Sequence, residues 1–291
     1  MKNVKKDFSA YPKSIQRQRS HYITAISALE AARRWPDNYS SLYKANSVVQ
    51  ALNLVYYSKC AYCNQLPVGS PIQVDHFRPK KGVRGITHTG YYWLGYEWTN
   101  LLLSCGNCNS IKNNKFALED ENTRLPGPKL NGNLFDQDCH YIHSKYLSYE
   151  KYQFLNPEVD KISRHLVYLP DGKIYGLSPR GVYTIDELGL NRDELYIDGR
   201  KKLIDDIERK LLQKLKRYSE GMRKARVTCQ DLTDVIIEEI IRPIEQKQSF
   251  DDFLLIVMQD FQTYILPRFG NQSHKNILSF TFNSINMGKI F

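Results

Sequence analysis

Two short cysteine pairs constrain this chain more than any other feature of it. They are Cys60-Ala-Tyr-Cys63 and Cys105-Gly-Asn-Cys108, with 41 residues between Cys63 and Cys105. A two-residue spacing turns the backbone tightly enough for both thiolates to face one metal. Two such knuckles on one ion make a closed tetrahedral four-thiolate site for zinc. The N-terminus, MKNVKKDFSA, is basic with no apolar segment behind it, which does not read as a signal peptide. In an unsignalled chain, paired knuckles read as metal ligands and not as a disulfide framework. Two coincidental pairs of buried thiols are the alternative. Four thiolates leave zinc no open position, so such a site would staple the fold without joining a reaction.

At 291 residues the chain can hold one elaborated domain or two. Its longest clean apolar run, 253–258, is far too short to span a bilayer. A soluble cytoplasmic protein with no membrane partner is therefore expected. The net charge of +10, from 41 basic and 31 acidic residues, is compatible with a polyanionic partner. The basic residues are spread along the chain, so charge supports that reading without establishing it.

Apolar periodicity predicts a helix over 14–34 and a second over 41–57, separated by Trp35-Pro36-Asp37-Asn38. Segments 165–169 and 173–177 flank Pro170-Asp171-Gly172 and read as a β-hairpin. A short helix over 184–188 is stopped by Gly189. A long amphipathic helix is predicted over 193–226, with Leu203, Ile207, Leu211, Leu215, Tyr218 and Met222 on its apolar stripe. Its many Lys and Arg residues are interleaved with Asp205, Asp206, Glu208 and Glu220, and read as a solvated face in preference to a phosphate-tracking one. Two further helices are predicted over 232–241 and 250–266, the latter opened by a capping-box-like Ser249-Phe250-Asp251-Asp252. The tail after Pro267 carries no assignment.

The chemistry lies between and just after the knuckles. Ile72-Gln73-Val74-Asp75-His76-Phe77-Arg78-Pro79-Lys80 is a β-type run carrying an Asp-His pair. Glu97-Trp98-Thr99-Asn100-Leu101-Leu102-Leu103-Ser104-Cys105 follows, and Asn109, Lys112 and Lys115 come after the second knuckle. This order resembles the HNH endonuclease family: an Asp-His on the first strand, an Asn before the second, and His or Asn opening the helix. The resemblance implies an α+β chain in which a ββα-metal HNH core, with a zinc site made by the four cysteines, is embedded in a mostly helical body.

It also implies roles. His76 would be the general base that takes a proton from the attacking water, a task suited to an imidazole. Asp75 and Asn109 would offer oxygen ligands to one hard divalent ion, Mg²⁺ or Mn²⁺. Asn100 would hold the His76 ring in a productive orientation. Arg78, Lys80, Lys112 and Lys115 would contact flanking phosphates, ordinary surface side chains being the alternative. Asn109 stands where many members carry His. For His140 and His143 beside Cys139, loop side chains are a better reading than a second metal cluster, and whether His88 borders the groove is left open.

A narrower likeness covers about residues 58–200. Val74–Lys80, Trp93–Leu103, Leu155-Asn156-Pro157-Glu158 and Thr184–Arg192 are similar to the HNH proteins of Septu-type and retron-linked anti-phage systems. That likeness implies a defence nuclease acting on nucleic acid, DNA before RNA, restrained by an ABC or SMC-like ATPase. The expected divisions are a helical segment 1–57, the zinc-stapled core 58–120, an extension with a hairpin 121–192, and a helical segment 193–291. The rival reading is a zinc-ribbon module that grips nucleic acid, or serves as a structural subunit, without cutting. A pure binder has no use for the Asp75-His76 pair.

Overall fold

The structure, a computed structural model, describes residues 1–16, 40–67, 69, 71–131, 134–136 and 139–287. They form two compact units, Met1–His165 with Leu177–Gly189, and Leu166–Gly176 with Leu190–Phe291. Helices dominate and the sheets are small and two-stranded, so the class is α+β as the sequence implies. Among the described residues no helix is long and apolar enough to cross a membrane.

The first unit is built on a hairpin-plus-helix. Strand β1 (Ile72–His76) pairs antiparallel with β2 (Leu101–Cys105), from Ile72 opposite Cys105 to His76 opposite Leu101. All five β2 residues are buried, which explains why Leu101-Leu102-Leu103 is a continuous apolar run with no alternation. Helix α2 (Gly106–Lys112) starts at once, because the Cys105 sulfur caps it by accepting the Cys108 amide. Before the hairpin, helix α1 (Asn46–Tyr56) buries Val48, Leu52 and Tyr56 and ends at Tyr57 in the left-handed region, φ 52°. The helix predicted over 41–57 is thus split, since Ala45 takes ψ 144° between the turn Ser40–Tyr43 and α1. The helix predicted over 14–34 falls largely outside the described residues.

Between the strands the chain returns over β1 and buries Trp93, Trp98, Tyr91 and Phe77. Arg78 lies inside this layer. Its Nε donates to Glu150 at 3.0 Å, its other end donates to the Leu147 carbonyl, and the rings of Phe116 and Tyr152 cover its plane. Helix α3 (Pro179–Leu188) is capped by Ser178 and closed by Gly189 at φ 57°. It is twice as long as the 184–188 reading, because Pro179 opens the helix where its missing N–H costs nothing.

In the second unit, β3 (Leu166–Tyr168) and β4 (Ile174–Gly176) form the expected hairpin. Gly172 is needed at its turn: φ is +89°, and an added Cβ would lie 2.8 Å from the Arg200 Cβ. The long helix predicted over 193–226 is instead a π-helical turn, Tyr196–Lys201, followed by α4 (Lys202–Ser219). Gly221, at φ 70°, ends it, with the Gly221 and Met222 amides returning to the Tyr218 and Arg217 carbonyls. That is a Schellman closure, and it leaves Met222 on the surface instead of on the stripe. The buried line is Ile204, Ile207, Leu211 and Leu215.

Helix α5 (Ala225–Ile236) begins seven residues before the predicted start at Leu232 and runs on through a π-helical turn to Glu245. The helix predicted over 250–266 breaks at Asp260, where α6 (Asp251–Gln259) ends and the Asp260 side chain caps a new turn. Its capping box does not form: Phe250 is the N-cap, in the left-handed region, with no side-chain acceptor. The unassigned tail contains a full helix, α7 (Gln272–Asn286), whose cap Asn271 accepts from the Ser273 and His274 amides.

Candidate active site

Two separate sites occupy the ββα element, one at each end of the strand pair. At the first, Cys60, Cys63, Cys105 and Cys108 are all buried and their sulfurs lie within 4.8 Å of one another. The first knuckle is a tight turn: Cys60 receives the Asn64 amide, Asn64 sits at φ 58°, and the Ala61 amide ties the knuckle to Leu103. The Cys63 and Cys105 sulfurs are 3.9 Å apart. That matches the ~3.8 Å edge of a tetrahedron with zinc–sulfur bonds of about 2.3 Å. Hydrogen bonds from Cys108, Cys60 and Cys63 hold the Cys105 thiol far below its usual value, while Cys63 and Cys108 are pushed up as the donors. Three thiols gathered around one thiolate form the donor set of a soft cation, so the residues fit zinc.

At the other end, His76 and Asp75 close β1. The His76 imidazole is almost fully buried. Its Nε2 meets the Gly95 carbonyl at 2.8 Å, its Nδ1 faces Lys80 Nζ at 3.4 Å, and the Tyr43 ring packs edge-on at 4.6 Å. A carbonyl only accepts, so Nε2 carries the proton and Nδ1 keeps its lone pair. Burial lowers the His76 pKa well below the usual histidine value, and the Lys80 cation pushes it the same way. The ring is thus a neutral base with its basic atom in a pocket of about 760 Å³, lined among others by Tyr43, Lys44, Gln73, Asp75, Lys80 and Asn109.

Asp75 is buried beside it. Its Oδ2 accepts from Tyr62 at 2.5 Å and lies 3.1 Å from Lys112 Nζ, which also donates to the His76 carbonyl at 2.8 Å. Asn109, on α2, donates its amide to Gln73 Oε1, which leaves its own oxygen free for another contact. One carboxylate with amide side chains lining the same pocket suits a single hard cation that keeps most of its water. Among the described residues the only group of three or more His, Cys, Asp or Glu ligands is the four-cysteine cluster.

The expected site residues separate accordingly. The structure brings Asp75, His76, Asn109 and Lys80 to one pocket. Asn100 makes no hydrogen bond to the histidine ring. Its oxygen accepts the Arg78 amide and its nitrogen donates to the Arg78 and Leu94 carbonyls. Asn100 therefore fastens the loop that carries Gly95, and the Gly95 carbonyl orients the ring. Arg78 and Lys112 are buried in ion pairs with Glu150 and Asp75, which leaves neither a surface from which to reach a phosphate. Lys115 lies outside the pocket, 2.9 Å from Glu187 on α3. His88 binds the Leu125 carbonyl and the Gly90 amide, and Cys139 holds the Lys129 backbone, so both are loop anchors.

Sequence reading missed Tyr43, Lys44, Tyr62 and Gly95. Tyr62 alone gave a signal, being fixed inside the first knuckle one strand away from Asp75. Tyr43 and Lys44 arrive from a helix break that periodicity did not show.

Residues 60–115 match the family described as HNH endonuclease. Over 222 residues the chain is 34% identical to the Septu protein PtuB of Bacillus mycoides (strain KBAB4), covering 73% of this chain and 68% of that protein. Over 142 residues it is 28% identical to the Septu protein PtuA of the same strain, covering 47% of this chain but only 18% of PtuA.

Proposed function

The chain belongs to the family of the Septu protein PtuB and is a nuclease with an HNH endonuclease domain, and from this we propose that it hydrolyses phosphodiester bonds with His76 as general base. The observation that carries the proposal is the single hydrogen bond from Nε2 to the Gly95 carbonyl, which commits the ring to a tautomer whose unprotonated Nδ1 faces Lys80 in a residue that lines the pocket. Nδ1 takes a proton from water, the water oxygen bonds to phosphorus, and the bond to the leaving oxygen breaks. The imidazolium then returns its proton to solvent. Lys80, 3.4 Å from Nδ1, pairs with a non-bridging phosphate oxygen when substrate enters, which frees the lone pair for the water.

Asp75 and Asn109 would hold the divalent ion, Mg²⁺ or Mn²⁺, which withdraws charge from the scissile phosphate and the departing oxygen when bound. Lys112, which reaches both Asp75 oxygens, holds the carboxylate in place together with Tyr62. Hydrolysis by an activated water needs no ribose 2′-hydroxyl, so DNA is the favoured substrate and a splayed RNA loop remains within its reach.

The likeness to Septu proteins supports a role in anti-phage defence, with an ATPase of ABC or SMC-like type as the restraining partner. Retention of that ATPase on the tagged chain after co-expression tests the partnership. Cleavage of plasmid DNA and of RNA with Mg²⁺, wild type against His76→Ala, tests the chemistry. Loss of cutting in the variant alone is expected. Retained cutting would remove His76 from its role, and no cutting by the wild type, alone or with the ATPase, would leave a nucleic-acid binder.

A further inference from the structure

Charge along the helical pair of the second unit is distributed unevenly. On the N-terminal half of α4 and the turn before it the ions, Lys202 excepted, are matched: Lys201 with Asp205, Arg209 with Asp206, Lys210 with Glu239, and Arg268 with Asp205 and Glu208. From residue 214 to 226, around the Gly221 closure, the balance changes. Lys214, Lys216, Arg217, Arg223, Lys224 and Arg226 face a single acid of that stretch, Glu220. All but Lys214 are exposed. Among the described residues only Arg223 of these six makes an ion pair, with Asp231 at the long distance of 3.9 Å. The first turn of α5 adds no acid. A helical face that needed only solubility would carry interleaved charges, as the N-terminal half of α4 does. Six cations at one tip repel one another and lower stability unless an anion is drawn to them.

We infer that the 214–226 tip is a second nucleic-acid contact, which holds the phosphodiester backbone of the substrate outside the catalytic pocket. The inference rests on the nuclease reading for its choice of polyanion. The last two turns of α4 extend about 10 Å, at 1.5 Å per residue. Each strand of a DNA duplex presents a phosphate about every 3.4 Å along the helix axis, so a tip lying along that axis covers roughly three of them. Lys and Arg contacts to phosphate carry no sequence information, so the contact is blind to sequence.

The test uses the full chain carrying His76→Ala, so that binding is measured without cleavage. Anisotropy of a labelled DNA duplex is followed from 50 to 200 mM KCl. The quadruple variant Lys216→Gln, Arg217→Gln, Lys224→Gln, Arg226→Gln should lower the slope of log K against log salt by about two to three, since each lost phosphate contact removes about 0.9. All four residues are exposed, and folding is checked by circular dichroism. The control, Arg209→Gln with Lys210→Gln, neutralises cations that are already paired and should leave the slope unchanged. An unchanged slope in the quadruple variant overturns the inference, as does an equal fall in the control or an absence of binding by the parent chain at 50 mM salt. Loss of binding to anionic phosphatidylserine vesicles with an intact DNA slope also overturns it and assigns the tip to a lipid surface. Failure of wild-type cleavage sinks the nuclease reading instead, and is measured separately.

Discussion

The Nε2 of His76 lies 2.8 Å from the carbonyl oxygen of Gly95, nineteen residues further along the chain. This contact makes Nδ1 the basic atom, and burial with Lys80 beside it keeps the ring neutral well below the ordinary histidine range. A base of this kind is competent above its pKa and silenced by protonation below it. The acid limb of kcat/KM should therefore lie clearly below pH 6.5, with a flat profile through neutrality. In Lys80→Gln the repelling cation is gone, the His76 pKa rises toward 6.5, and the limb should move to higher pH. A limb that moves down, or stays, would remove Lys80 from the electrostatics of the base.

Lys80 carries a cost of its own. Burial lowers its pKa from 10.5 to about 8. A lysine depressed on folding binds fewer protons in the native state between these values, so stability rises with pH from about 8 to 10.5. Below pH 8 the full penalty applies, on the order of 3 kcal/mol at most. Lys80→Met should raise Tm by several degrees at pH 7 while cutting nuclease turnover by about tenfold or more. Differential scanning fluorimetry at pH 7 and pH 10 checks the sign: the gap between variant and wild type should narrow at the higher pH.

What the sequence disclosed and what it hid follow one physical divide. Cys60, Cys63, Cys105, Cys108, Asp75 and His76 were legible because their spacing is local and metal or base chemistry restricts residue type. Gly95 was not, because a backbone carbonyl leaves no mark on the side chain that carries it. Asn100 was legible as a residue but not in its contact, since its side chain reaches the histidine only through the loop at Leu94. Helix ends failed where a glycine or an extended residue intervened, at Ala45, Gly221 and Asp260. Helix α7 was the avoidable miss: Asn271 is a good cap, and Leu278, Phe282 and Ile285 recur on one buried face.

Lys6 was read only as part of a basic N-terminus, yet it is buried. Its ammonium donates to the Trp98 and Leu101 carbonyls, both at 2.6 Å, lies 3.2 Å from Glu158, and sits over the Trp98 ring. These partners flank Asn100 at the start of β2. Lys6→Met removes the cation from the buried Glu158 carboxylate, which keeps the Tyr56 hydroxyl, and one donor from each of the two carbonyls, which should cost about 3–5 kcal/mol in urea unfolding. Adding Glu158→Gln removes the uncompensated charge and should recover part of that loss. If the double variant is as unstable as the sum of the two singles, Lys6 and Glu158 do not act as a unit.

The four-cysteine cluster should fail in a different manner from the catalytic pocket. Its sulfurs join the turn before β1 to the junction of β2 and α2, and β1 reaches His76 only through its register with β2. Chelation that strips zinc should therefore unlock the strand pair first and disable His76 as a consequence. The expected signature is one zinc per chain by elemental analysis, lost together with near-ultraviolet circular dichroism and nuclease activity. Mg²⁺ alone should restore neither, whereas Zn²⁺ followed by Mg²⁺ should restore both. Cys108→Ser should show the same loss without chelator. Because thiols must release protons to bind the metal, zinc should also dissociate more readily as pH falls. A chain that purifies folded with no zinc, or that regains cutting with Mg²⁺ alone after stripping, would show that the four thiols hold the fold without a metal.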